Sequence, residues 1–242
     1  MFDVGTLPKF SGGLLSPFRT RYHMAPKQLP RLWVITLANP KGGVGKTTIA
    51  SALAVRAAAE SKRVALLDLD PQESLASWWI RRGKTKNPKL FEVDAAVEAI
   101  EMLISEGWEW VFVDTGPARI DLIEAGIAVA DLVLIPTRPS AFDIEQTAIC
   151  VELCENHSKA HAFVLNHAPS GAKVSKLTRS SIKFLQKNGS TVIDAPLTYQ
   201  EAYMAAATVG KSAPEVERGD DAHKEIEALW AVVKKLLVGK VS

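Results

Sequence analysis

The stretch PKGGVGKTT, Pro40 to Thr48, decides how this chain is read. It follows the short apolar run WVITLA, which starts at Trp33, and opens TTIASALAVRAAAE, a segment of helical period. A glycine-rich turn between a strand and a helix is the setting of a phosphate loop. Gly42, Gly43, Val44 and Gly45 supply backbone N–H groups that can turn inward on phosphate oxygens, and the helix N-terminus adds its dipole. Lys46 is expected to reach the β- and γ-phosphates. The Thr47 hydroxyl is expected to ligate Mg²⁺, where a small neutral oxygen leaves room for phosphates and water. Thr48 is placed to donate to the α-phosphate. ATP and Mg²⁺ are the expected cofactors.

Further apolar runs follow. RVALLDLD, WVFVD (Trp110 to Asp114), LVLIPT (Leu132 to Thr137) and AFVLN (Ala162 to Asn166) read as buried strands. DAAVEAIEMLISEG and FDIEQTAICVELCENH between them read as helices. This alternation predicts an α/β fold, a mostly parallel twisted sheet with helices on both faces. FEV (Phe91 to Val93) and TVID (Thr191 to Asp194) are candidates for shorter strands. Residues 1–32 carry scattered Gly and Pro without a period and read as a flexible N-terminal arm. A translation start at Met24 would remove most of it. Residues 33–242 are expected to form a single domain.

The general phosphate-loop pattern has glycine where this chain has Pro40, and a lysine, Lys41, comes next. KGGVGKTT with that extra lysine resembles the deviant Walker A ATPases related to ParA and MinD, closest to the small partitioning ParA proteins. The resemblance covers nearly all of Leu32 to Val238 and implies a P-loop NTPase architecture. It also implies that Lys41 crosses the interface of an ATP-sandwiched dimer to the partner's phosphates, in the manner of an arginine finger.

Asp68 and Asp70 end a strand on one face, since positions i and i+2 share a side. DLDPQ resembles the first switch of ParA proteins. By that likeness Asp70 orients or polarises the attacking water, and Asp68 supports Mg²⁺ and the loop. Asp114 closes another apolar strand in the Walker B arrangement, near Mg²⁺. Gly116 follows in a second switch and is expected to offer its N–H to the γ-phosphate. The sequence Thr-Gly-Pro-Ala there matches neither the ParA nor the MinD form. LVLIPTRPSAFDIEQT resembles the following ParA segment and puts Asp143 near the dimer interface. In the wider family an asparagine at the place of Asn166 bonds adenine, and Pro196 would flank the base.

A formal net charge of +2 argues at first against a nucleic-acid partner. The charges are not evenly spread. At ~100° per residue, Lys173, Lys176, Arg179, Lys183 and Lys187 fall within an arc of ~120° on one helix. Val174, Leu177, Phe184 and Leu185 are read on the opposite, apolar side. Five such residues suit weak, salt-sensitive and sequence-independent binding to a DNA backbone.

The resemblance then implies an ATPase in DNA segregation. An ATP-dependent homodimer binds nonspecific DNA, and a centromere-binding adaptor of ParB/ParG type stimulates slow hydrolysis. One alternative is a MinD-like positioning ATPase acting at a membrane, for which IEALWAVVKKLLVGK is the candidate anchor; a terminal helix packed on the sheet is the favoured reading of that segment. Another is a relative that recruits conjugation or other protein cargo. Two cysteines exclude a disulfide-stapled fold, and no apolar run reaches the 18 residues of a membrane span. With no apolar leader at the N-terminus, the expected location is cytoplasmic and nucleoid-associated. The five histidines show no metal-ligand spacing.

Overall fold

The computed structural model describes residues 29–61, 63–93, 95–169, 175–216 and 220–239. The arm up to residue 28 and Lys173 with Val174 lie outside the described residues. Six parallel strands form one sheet in the order β3-β2-β4-β1-β5-β6. They are β1 (Trp33–Leu37), β2 (Val64–Asp68), β3 (Lys89–Phe91), β4 (Trp110–Asp114), β5 (Leu132–Thr137) and β6 (His161–Leu165). The five long strands match the apolar runs. The run expected at Phe91 to Val93 pairs two residues earlier, and TVID contributes only a single bridge, Phe163 to Val192.

Helices cover both faces, because alternate strand residues point to opposite sides. On one face Ile35, Leu37, Leu66, Phe112 and Leu134 pack under α1 (Lys46–Ala58), α2 (Ser74–Arg81) and α10 (Asp221–Val238). On the other, Val133, Ile135, Phe163 and Leu165 pack under α4 (Ile120–Val129), α6 (Ala148–Asn156) and α7 (Lys176–Lys187). Val34, Leu67, Val111 and Val113 meet α3 (Ala96–Glu106) on that same side.

α10 packs on the sheet, the favoured reading of the C-terminal segment. Its Ile226, Leu229, Trp230, Val233 and Leu237 are all in the core, and Trp230 donates from Nε1 to Glu60 Oε2 at 3.0 Å. The apolar stripe that suggested a surface anchor faces the sheet. No described helix is long and apolar enough to cross a membrane.

Two helix readings need correction. FDIEQTAICVELCENH is two helices, α5 (Ala141–Glu145) and α6. Between them the buried Thr147 turns its hydroxyl back to Ile144 O at 2.6 Å, a local bond that competes with helix continuation. The basic helix starts only at Lys176, capped by the Ser175 hydroxyl, which accepts from Thr178 N. Its buried side is Thr178, Ser181 and Leu185, while Leu177 and Phe184 are exposed. Leu177 and Phe184 sit on the flank, ~80–100° round the helix from Lys176, where they border a groove against α5. Two short helices complete the chain, α8 (Glu201–Thr208) and α9 (Ala213–Val216).

Candidate nucleotide site

The predicted phosphate-site residues lie at the carboxyl edge of the sheet, where parallel strands open into loops. Register explains the convergence. Asp114 is paired with Leu37 on one side and with Asp68 on the other. The loop after β1 therefore starts beside the carboxylate that ends β4.

Gly43 and Gly45 take φ values of 68° and 95°, left-handed conformations that favour glycine. Gly45 caps α1, so the turn delivers its N–H groups at a helix N-terminus. Gly42, Gly43, Gly45, Lys46, Thr47, Thr48, Asp70 and Pro117 line an open cleft of about 370 Å³. Lys46 is buried, and its ammonium donates to Lys41 O at 3.1 Å. Burial lowers its pKa, and the charges of Asp114 and Asp70 oppose that shift.

Asp114 is fully buried. Its Oδ2 accepts from the Thr47 hydroxyl at 2.5 Å, while Oδ1 has no hydrogen-bond partner among the described residues. Burial pushes its pKa up to about 7, against the Thr47 hydrogen bond. An orphaned carboxylate oxygen beside a threonine hydroxyl is a donor set that suits a hard divalent cation in company with phosphate oxygens. No cluster of three His, Cys, Asp or Glu side chains suited to a metal occurs among the described residues.

Asp68 makes the loop contacts of its expected part. Oδ1 accepts from Asp70 N and Oδ2 from Ala76 N, so both oxygens pin the loop to α2. It lines the neighbouring cleft between α2 and β3, not the phosphate cleft. Asp70 does face the phosphate cleft. A Cβ on Gly116 would stand 2.8 Å from Asp70 Oδ1, so the glycine leaves room for the carboxylate between the two switches. Ala118 N donates to Pro40 O and ties the second switch to the phosphate loop.

Lys41 points to Asp143 in the same chain, and the two form an ion pair. Asp143 is buried at the start of α5.

Asn166 sits against the turn. Its Nδ2 donates to Val44 O at 2.8 Å, which leaves the side-chain oxygen free of that bond. Asn166 and Thr48 also line a narrower cavity of about 100 Å³, walled by His167, Leu197, Thr198, Tyr199, Tyr203 and Met204. Thr48 belongs to both spaces, so the cavity continues the cleft away from the phosphate turn. Its lining starts at Leu197, one residue past the expected Pro196.

Three supporting residues were not singled out from sequence. Asn39 donates to Pro136 O at 2.7 Å and accepts from Lys41 N at 2.8 Å, which braces the turn against β5. The Asn-Pro dipeptide was an available turn signal. Arg138 donates to Gly43 O at 2.8 Å. Glu225 ties down the wall of the narrow cavity. Nothing local in the sequence marks the last two.

Of the predicted basic residues, Lys176, Arg179, Lys183 and Lys187 lie on α7, all on the solvent side. Trp78 is buried and donates to Lys211 O at 3.1 Å, so it serves packing. Cys150 and Cys154 are buried free thiols on α6.

Comparison with known proteins agrees with this geometry. The family model described as the CobQ/CobB/MinD/ParA nucleotide binding domain matches residues 35–213. The chain is 32% identical to Protein ParA of Rhizobium radiobacter over 185 residues, covering 73% of this chain and 83% of that protein. It is 27% identical to maintenance of carboxysome distribution protein A of Halothiobacillus neapolitanus, covering 82% and 95% of the two chains. Among solved structures, a plasmid partition protein of Borrelia burgdorferi B31 bound to AMPPNP superposes with a TM-score of 0.67 at 16% identity, covering 85% of this chain and 99% of that one.

Proposed function

Because the chain belongs to the CobQ/CobB/MinD/ParA nucleotide-binding family, we propose that it is a ParA-type ATPase that segregates DNA through an ATP-dependent homodimer. The observation that carries this reading is the pair of lysines at the turn. Lys46 is buried and committed to its own cleft, whereas Lys41 stands at the rim on Asp143. A rim cation on an ion pair can be exchanged for the phosphates of a second subunit, so closure and catalysis become one event.

Within the cleft the glycine N–H groups and Lys46 bind the triphosphate and balance its charge. Thr47 and Asp114 would hold Mg²⁺, which when bound neutralises phosphate charge. Asp70 orients water from the cleft wall. The water is only weakly assisted, so turnover without an adaptor is slow. Asn166, with Nδ2 committed to Val44 O, offers its oxygen to the amino group of adenine. Exposed Lys176, Arg179, Lys183 and Lys187 bind the DNA backbone without reading sequence. An adaptor of ParB/ParG type stimulates release, and the protein works in the cytoplasm on the nucleoid.

The test is DNA binding by anisotropy with ATP, ADP and no nucleotide. ATP-dependent binding is expected. Lys46→Ala should lose nucleotide binding, and Lys41→Ala should bind ATP yet lose dimer-dependent hydrolysis. Normal hydrolysis by a Lys41→Ala dimer would show the sandwich mechanism to be wrong here. A second reading, positioning of a protein cargo by the same cycle, is favoured by the relative named for carboxysome distribution.

A further inference from the structure

One carboxylate outside the cleft collects more hydrogen bonds than any group within it. Glu225, on α10, accepts from Thr198 N at 3.1 Å, Thr198 Oγ1 at 2.6 Å, Gln200 Nε2 at 3.1 Å and Tyr203 OH at 2.8 Å. Gln200 Nε2 also donates to Thr198 Oγ1 at 2.9 Å, which closes the network. Thr198, Gln200 and Tyr203 all line the narrow cavity beside Asn166, and Glu225 does not.

The wall needs such a fixture. Up to Tyr199 it is held by backbone bonds to β6 and the turn after it: Leu197 N to Leu165 O, Ala168 N to Leu197 O, and Tyr199 N to Ala168 O. Beyond that point regular pairing ends. α8 begins without a side-chain cap and buries only Ala206. Its Tyr203 ring nevertheless forms part of the wall, and its hydroxyl is anchored from behind by Glu225. Burial and the neighbouring Glu225 both raise the Tyr203 pKa, so the phenol stays a donor across the physiological range.

We propose that Glu225 is the positioning residue of the nucleobase cavity, setting the affinity for the base of ATP by fixing Thr198, Gln200 and Tyr203 while leaving the phosphate turn untouched. This rests on the reading that the base occupies the cavity next to Asn166. The phosphate turn is carried by β1 and α1, and no Glu225 bond reaches either, so triphosphate and base affinities are separable.

The experiment measures displacement of a fluorescent ATP analogue from the full chain by ATP and by inorganic tripolyphosphate. Glu225→Ala should weaken ATP about tenfold or more, as expected for loss of several charge-assisted hydrogen bonds, with tripolyphosphate unchanged. Glu225→Gln, which keeps an acceptor, should recover part of the loss. Tyr203→Phe, which removes a single donor, should weaken ATP in the same direction and by less. It also tests the idea if Glu225→Ala fails to fold. Equal loss of ATP and tripolyphosphate would make Glu225 a general scaffold residue and overturn the proposal, as would unchanged ATP affinity. If the unaltered chain binds ATP no more tightly than tripolyphosphate, the base-cavity reading itself falls, and the proposal with it.

Discussion

Gly45 joins the two halves of the cleft. At φ 95° it ends the turn and caps α1, and a Cβ there would stand 2.1 Å from Asn166 Nδ2. Gly45→Ala meets two obstacles, a left-handed strain of about 1–3 kcal/mol and a collision with the side chain read as the adenine contact. We expect a lower melting temperature and loss of nucleotide binding. Adding Asn166→Ala should return part of the stability, since it removes the collision and leaves the strain. Calorimetry of the two variants checks this, and an unchanged melting temperature in Gly45→Ala would refute it. Residues of this kind were legible because the turn is local: glycines, lysine and hydroxyl sit within a few positions of each other. Arg138 was not. It reaches Gly43 O across 95 positions, and only the order of strands brings the loop after β5 beside the loop after β1. Asp68 was legible as a strand-end carboxylate, but spacing alone did not reveal that two backbone N–H groups would occupy it.

At the scale of elements, α2 is fastened to the segment between α8 and α9. Trp78 donates to Lys211 O, Arg82 donates to Gly210 O, and Arg82 forms a two-pronged pair with Glu215 at 2.7 Å on each arm. A Cβ on Gly210 would stand 2.2 Å from Arg82 N, so the backbones touch. This clamp joins α2, the helix after Asp70, to α8, which walls the narrow cavity. Burial raises the Glu215 carboxyl, but hydrogen bonds from Arg82 and from Ser212 N, with the Arg82 charge, outweigh it and hold the pKa below its ordinary value of 4.5. A depressed carboxylate contributes stability that is present above about pH 4.5 and is lost as pH falls through the folded value. Glu215→Gln should therefore cost about 1–3 kcal/mol at pH 7, a fall of several degrees in a chain of this size. The gap from the unaltered chain should close as pH falls through the folded value. A pH-independent gap would mean that packing, not the ion pair, sets the cost. Neither partner stands out in the sequence, because a pair 133 positions apart leaves no periodic trace. Strand runs and long amphipathic helices were readable for the opposite reason, since burial repeats along the chain. The break between α5 and α6 was hidden because the apolar period continues across Thr147.

For the whole molecule, a net charge of +2 and the proposed DNA-binding role are reconciled by where the charges lie. α7 presents Lys176, Arg179, Lys183 and Lys187 on its solvent side, and one chain offers no more than these four described cations on that helix. Each neutralised phosphate contributes about −0.9 to the slope of log affinity against log salt. On the proposed function a single chain using the helix therefore has a slope of about −3 to −4. A sandwich dimer brings two such helices to one duplex if both reach the backbone, and the slope approaches twice that value. On the proposed function ATP works as a valence switch: it adds a second stripe without altering the first. Salt titrations with ATP should show a slope about double that with ADP. Lys176→Ala with Lys183→Ala should lower the ATP slope by about four units, two per chain, and the ADP slope by about two. Equal slopes in the two nucleotide states would place the ATP effect within a single chain and overturn the dimer as the source of the proposed DNA affinity.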